Sequence, residues 1–148
     1  MNKIGKTKQM KANELKEGMF MITSDSPVLI DIVNLNEQGD ELRKDDVLVV
    51  GEDIIKNIDV QLEFSYNDVI DVFYPQFIEY KITNINKNGQ LELMTKDGET
   101  KKDLKLGNSG RSKKLKDEIN KNMEDGAPQM LTVMCFQEKE YPYLVIKL

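Results

Sequence analysis

The chain has 148 residues and a mass of 17.0 kDa, enough for one ordinary domain or two small ones. Its 39% hydrophobic and 32% charged residues, with only 4 Pro and 9 Gly, describe a globular chain and exclude a disordered or collagen-like one. The absence of histidine and the single cysteine, Cys135, remove Ser-His and Cys-His nucleophile pairs, internal disulfides and cysteine-based zinc sites, so no catalytic residue, metal or cofactor is expected.

No apolar run approaches the roughly 20 residues that span a bilayer, and Met1-Asn2-Lys3-Ile4-Gly5-Lys6 has no apolar export segment. The expectation is a soluble cytoplasmic protein with no membrane partner. The net charge of −5 disfavours a simple polyanion binder, but the placement of charge matters more than its sum.

Residues 1–16 hold Lys3, Lys6, Lys8, Lys11 and Lys16 with little to bury, which predicts a basic flexible arm. Residues 19–22, 28–35, 47–50, 58–64 and 69–74 then read as short strands, rich in Val, Ile and Phe and separated by turn-forming clusters. They predict a small barrel over 17–75. Residues 77–85, 91–95 and 100–106 read as a meander whose turns carry Asn88-Gly89 and Asp97-Gly98. A helix is predicted over 111–124, with Leu115, Ile119 and Met123 as one apolar stripe, Ser109 or Ser112 as cap and Gly126 as exit. Strands at 129–137 and 141–148 follow, around a Glu138-Lys139-Glu140 turn. The order β-β-β-α-β-β over 76–148 is that of an OB fold.

Several stretches, in order, carry a family resemblance. They are Thr7-Lys8-Gln9, Gly18-Met19-Phe20, Ser26-Pro27, Val50-Gly51-Glu52-Asp53-Ile54, Glu79-Tyr80-Lys81-Ile82, Leu91-Glu92-Leu93-Met94-Thr95-Lys96-Asp97-Gly98-Glu99-Thr100 and Asp103-Leu104-Lys105-Leu106. With them the chain resembles the eukaryotic translation initiation factor 5A family from about Lys6 to Leu148. The resemblance implies an all-β architecture of two small barrels, an N-terminal SH3-like barrel followed by a C-terminal OB fold with one helix. It also implies a ribosome partner, with rRNA and the tRNA of the exit-site region in contact, and a first-domain loop tipped by a lysine converted to hypusine in a pattern like K-T-G-K-H-G-H-A-K.

The chain departs from that pattern at the loop. The corresponding region is Glu37, Gln38, Gly39, Asp40, Glu41, Arg43 and Lys44, and no G-K-H-G occurs in it. Lys44 is its only lysine, flanked by Arg43 and Asp45, so the modification is not carried onto it. Residues 36–46 hold five acids against two bases, a net −3 that repels phosphate.

The second half is the reverse. Lys96, Lys101, Lys102, Lys105, Arg111, Lys113, Lys114 and Lys116 face three acids over 96–116, a net +5 and a candidate RNA- and ribosome-binding surface. Tyr80, Phe136, Tyr141 and Tyr143 lie outside that stretch, which favours phosphate contact over base reading. The bland readings are a solvated lysine face, a simple helix cap in place of a phosphate cradle at 107–112, surface charge for Asp45-Asp46 and Glu52-Asp53, and core packing for Cys135. The leading expectation is a translation elongation factor-like protein, not an enzyme, that binds ribosome and RNA without hypusine as a monomer or weak dimer. The alternative is a self-assembling structural or protein-interaction module on the same fold, with protein partners.

Overall fold

The computed structural model of the protein describes residues 6–24, 26–36 and 46–148, and the chain divides into two compact units, Met1–Pro75 and Gln76–Leu148. Among the described residues the first unit is an antiparallel sheet in the order β1-β6-β2-β3-β4-β5. Its strands are β1 (Lys6–Lys11), β2 (Phe20–Thr23), β3 (Ser26–Leu35), β4 (Asp46–Asp53), β5 (Ile58–Ser65) and β6 (Val69–Tyr74). Period-two alternation along β4 sends Val47 and Val49 inward, where they meet Met21, Val28, Ile30, Ile70 and Val72.

The predicted basic arm is corrected for its described part. Residues from Lys6 to Lys11 pair along β6, from Lys6↔Tyr74 to Lys11↔Val69. Backbone pairing at an open sheet edge needs no apolar side chains, so a lysine-rich segment serves. The 3-10 turn Ala12–Glu14 follows, and Ala12 and Leu15 are buried. This turn reaches the exit of β5, where the Asn13 amide donates to the Tyr66 carbonyl at 3.3 Å.

β3 and β4 form one long hairpin with a bulge between Ile30 and Ile32, and Gly51 lies opposite it. A side chain at Gly51 would place its Cβ 2.3 Å from the Leu29 carbonyl oxygen, so the strands approach only because that carbon is missing. Glu52 and Asp53, expected as surface charges, are buried instead. Neighbours on a strand do face opposite ways, but both faces are covered at this end of β4, where Gly51, Glu52 and Asp53 are all buried. The Ser26 hydroxyl donates to Asp53 Oδ1 at 2.6 Å and the Lys56 amide donates to the same oxygen at 3.1 Å.

The second unit is a sheet in the order β11-β10-β7-β8-β9 with one α-helix, the element order expected of the OB fold. It comprises β7 (Gln76–Ile85), β8 (Leu91–Met94), β9 (Thr100–Lys101), α1 (Gly110–Glu124), β10 (Gln129–Phe136) and β11 (Lys139–Lys147). The third meander strand is shorter than predicted. Beyond Lys101 the Gln90 side chain donates to the carbonyls of Lys102 and Leu104, at 2.6 and 2.9 Å, and only isolated backbone bonds continue, from Leu91 N to Leu104 O and from Leu106 N to Gly89 O. In both meander turns only the glycine has positive φ, +83° at Gly89 and +82° at Gly98. Gly89 N donates to Asn86 O and Gly98 N to Thr95 O, three-residue loops rather than two-residue Asn-Gly and Asp-Gly turns. The last hairpin turns at Gln137-Glu138, both at positive φ, so Lys139 and Glu140 belong to β11 and not to the predicted turn.

The inward stripe of α1 is Ser112, Leu115, Ile119 and Asn122, while Met123 is 38% exposed, which corrects the predicted stripe. Asn122 wins the place by hydrogen bonding, since its Nδ2 donates to Gln129 Oε1 at 3.0 Å and Gln129 Nε2 donates to the Ile119 carbonyl at 3.2 Å. The helix ends in a Schellman motif, with Gly126 N donating to Met123 O and Ala127 N to Asn122 O.

The two edge strands of this sheet, β9 and β11, are joined by side chains. Lys101 Nζ lies 3.1 Å from Glu140 Oε1 and 2.9 Å from Asp103 Oδ1, and the Tyr80 hydroxyl donates to Glu140 Oε2 at 2.6 Å. Burial, then the bond to Glu140, pushes the Tyr80 hydroxyl from its ordinary value of 10.0 up to about 12. Burial pulls the Lys101 ammonium down, but its bonds to Asp103 and Glu140 outweigh this and the net shift is upward.

This geometry sets the cost of three substitutions. Gly51→Ala lowers the stability of the first unit by about 3 kcal/mol in urea titration, through overpacking against backbone. Gly18→Ala, where φ is +86° and nothing lies within 4 Å of an added Cβ, costs only the conformational strain of about 1 kcal/mol. For Tyr80 the folded value lies above the unfolded one, so its contribution is whole below about pH 10 and is lost as pH rises toward about 12. Tyr80→Phe removes that part of the alkaline decline, read as a shallower fall of stability across this window.

Candidate nucleic-acid interface

Two regions carry the residues that the sequence singles out. The loop residues Glu37, Gln38, Gly39, Asp40, Glu41, Arg43 and Lys44 lie outside the described residues. The hairpin that carries the loop is described up to its last pairs, Leu35↔Val47 and the bond from Asn36 N to Asp46 O at 3.1 Å.

The eight cations of the basic stretch 96–116 separate into three groups. Lys101 and Arg111 are engaged within the fold. Lys101 joins β9 to β11 as described, and its Nζ lies 5.4 Å from the centroid of the Tyr80 ring. Arg111, at the start of α1, donates from Nη2 to the Pro142 carbonyl at 2.8 Å and from Nη1 to the Tyr143 carbonyl. Its guanidinium therefore occupies backbone acceptors on the exposed side of the edge strand β11. Lys96 stands apart in the β8–β9 turn, beside Asp97 and Glu99.

The third group meets at the opposite end of β8. Lys105 bridges to Gln90, and the Lys116 stem lies against the β7–β8 turn, its Cε 2.9 Å from where a Cβ on Gly89 would sit. Lys113 and Lys114 are exposed on the first turn of α1, and Lys102 is exposed just before Lys105. The fold adds Lys87, exposed in the same β7–β8 turn, which lies outside the basic stretch in sequence. A lysine within an Asn-Lys-Asn-Gly turn is a signal that could have found it, once the turn is known to pack beside α1.

The helix also limits the cluster. Asp117 and Glu118 follow Lys113 and Lys114 by four residues, so the outward face is mixed beyond its first turn. The N-terminus of α1 is capped by its own chain, with Ser109 Oγ accepting from the Ser112 amide at 3.1 Å.

The expected aromatic residues are placed differently from one another. Phe136 is buried, Tyr80 is held by Glu140, and Tyr141 is half-buried with its hydroxyl pushed up by burial. Tyr143 stacks on Phe77, with centroids 5.0 Å apart and planes at 29°, and the Arg111 guanidinium lies 5.9 Å from the Tyr143 centroid. Cys135 is half-buried, and burial with the nearby Glu140 carboxylate pushes its thiol up, away from the reactive thiolate. An open groove of about 460 Å³ beside it is lined by Lys101, Asp103, Leu104, Glu138, Lys139, Glu140 and Tyr141. Among the described residues no helix is long and apolar enough to cross a membrane.

Residues 76–143 match the family model described as eukaryotic elongation factor 5A hypusine, DNA-binding OB fold. Among solved structures the chain is similar to a translation initiation factor eIF-5A family protein from Naegleria fowleri, at 25% identity and a TM-score of 0.55, over 96% of this chain and 99% of that one. It shares its fold with eukaryotic translation initiation factor 5A from Methanococcus jannaschii, at 16% identity and a TM-score of 0.58, over 95% of each chain. No curated protein matches the chain. The two antiparallel sheets, with one α-helix in the second, are the two-domain architecture of these proteins, translation factors rather than enzymes. By the family model on residues 76–143 the second unit belongs to the eIF-5A family, and over both units the chain is similar to eIF-5A proteins.

Proposed function

We propose that this chain is a cytoplasmic translation factor-like protein that binds the ribosome through RNA phosphates and works without hypusine. The cations gathered at the β7–β8 turn and the start of α1 carry this reading. Lys87, Lys105 and Lys116 come from three separate segments to the β7–β8 turn, and the exposed Lys113 and Lys114 precede Lys116 on α1. Lysines presented together release counter-ions from a phosphate backbone, whereas a scattered set does not act as one surface.

The first unit supports the second half of the proposal. Residues 36–46 carry net −3 and no G-K-H-G, so the loop has neither the modifiable lysine in its usual setting nor the charge to approach RNA. On this reading the scaffold reaches the exit-site region while the loop does not act there as a polycation.

Co-sedimentation with purified ribosomes tests the first half. Binding falls steeply as salt rises, and Lys113→Glu with Lys114→Glu weakens it and lowers the logarithmic salt slope by about two. Salt-independent binding, or full retention by the double variant, sinks this reading. The intact mass of the protein from its native host equals the sequence mass without a hypusine increment; an added increment on Lys44 sinks the second half.

A further inference from the structure

We propose that Phe77 and Tyr143 form a stacking platform for an unpaired nucleobase of single-stranded RNA, an inference that rests on the RNA-binding reading above. Tyr80 and Ile82 pack on the core of the second unit, so alternation along β7 turns Phe77, Glu79 and Lys81 outward. Phe77 has Tyr143 against its ring at 5.0 Å and 29°, yet remains 46% exposed. An exposed aromatic ring that is already backed by a second ring is held in one orientation. A base landing on it therefore orders little that is not ordered already.

The guanidinium of Arg111 extends the stack. It sits 5.9 Å from the Tyr143 centroid and is fixed there by the carbonyls of Pro142 and Tyr143. Lys113 and Lys114 follow it on the first turn of α1, both exposed. The platform thus adjoins the basic helix start, which matches a base that carries its own phosphate. Glu79 faces the same side of β7 as Phe77 and repels a phosphate placed beside it. A neutral peptide ligand would draw no advantage from this charge arrangement, and duplex RNA offers no free base face.

The sequence contains no tryptophan, so Phe77→Trp introduces a single indole reporter at the platform. The probe is a labelled oligouridylate of about twelve nucleotides, compared with an abasic strand of equal length and charge. The full-length protein binds the base-bearing strand about fivefold to about a hundredfold more tightly. Phe77→Ala and Phe77→Leu abolish that ratio while keeping the salt slope, and Phe77→Trp keeps it with quenching of the indole on binding. Circular dichroism confirms that the variants are folded. Equal affinity of the wild-type protein for both strands, or an unchanged ratio in Phe77→Ala, overturns the platform while leaving phosphate binding intact. Failure to bind either strand overturns the platform and counts against the RNA-binding reading itself.

Discussion

A short antiparallel sheet has two edges, and in the second unit the treatment of those edges decides what its cations are free to do. β9 contributes only Thr100–Lys101, so backbone pairing cannot carry the edge far. Lys101 spans to Glu140 on β11, with Tyr80 donating to the same carboxylate. The pair, at 21% and 20% side-chain exposure, lies between surface pairs worth under about 1 kcal/mol and buried ones whose disruption costs about 3–5 kcal/mol. Arg111 covers the acceptors of β11 from the helix side. Pro142 is tolerated in that strand because β11 is an edge and its missing donor leaves no gap in an inner ladder.

Two of the eight cations of the basic stretch are thereby drawn into the fold, and a third, Lys96, sits at the far end of β8. What remains is smaller but better focused. The three-residue β7–β8 loop carries Lys87, and the Lys116 stem lies against Gly89 of the same loop, where a methyl group would meet both Lys116 and the Leu106 carbonyl. Sequence density of lysine is thus a poor measure of surface potential. The relevant quantity is which ammonium groups share an end of the barrel.

The pattern of strands and the single α-helix was legible because burial on one face enforces period two and period 3.6, and that signal survives in Val47, Val49, Leu115 and Ile119. Three kinds of feature were not. β1 pairs by backbone alone and offers no apolar signal over its lysines. Asn122 displaces Met123 from the helix stripe through hydrogen bonds to Gln129, a residue seven positions away whose partner no local pattern announces. Glu52 and Asp53 are buried because β4 is covered on both faces at one end, a property of tertiary contacts rather than of alternation. At the site the charge was legible and its grouping was not. Phe77 carries no local signal, because its stacking on Tyr143 joins residues 66 positions apart.

In the first unit, scaffold and loop chemistry are physically separable. The β3–β4 hairpin is fixed by contacts that lie outside 37–45: the close approach at Gly51, the bond from Ser26 to Asp53, and the pairing of Asn36 with Asp46. None of these depends on the charge of the intervening segment, and loop-closure entropy grows only slowly with length. A change from a cationic to an anionic segment therefore costs the hairpin little. The same change reverses the sign of its interaction with any phosphate, which varies directly with the charge product. For this reason the fold-level likeness to eIF-5A proteins fixes where the chain from 36 to 46 begins and ends without fixing what it binds, and function has to be argued from the residues that the hairpin carries.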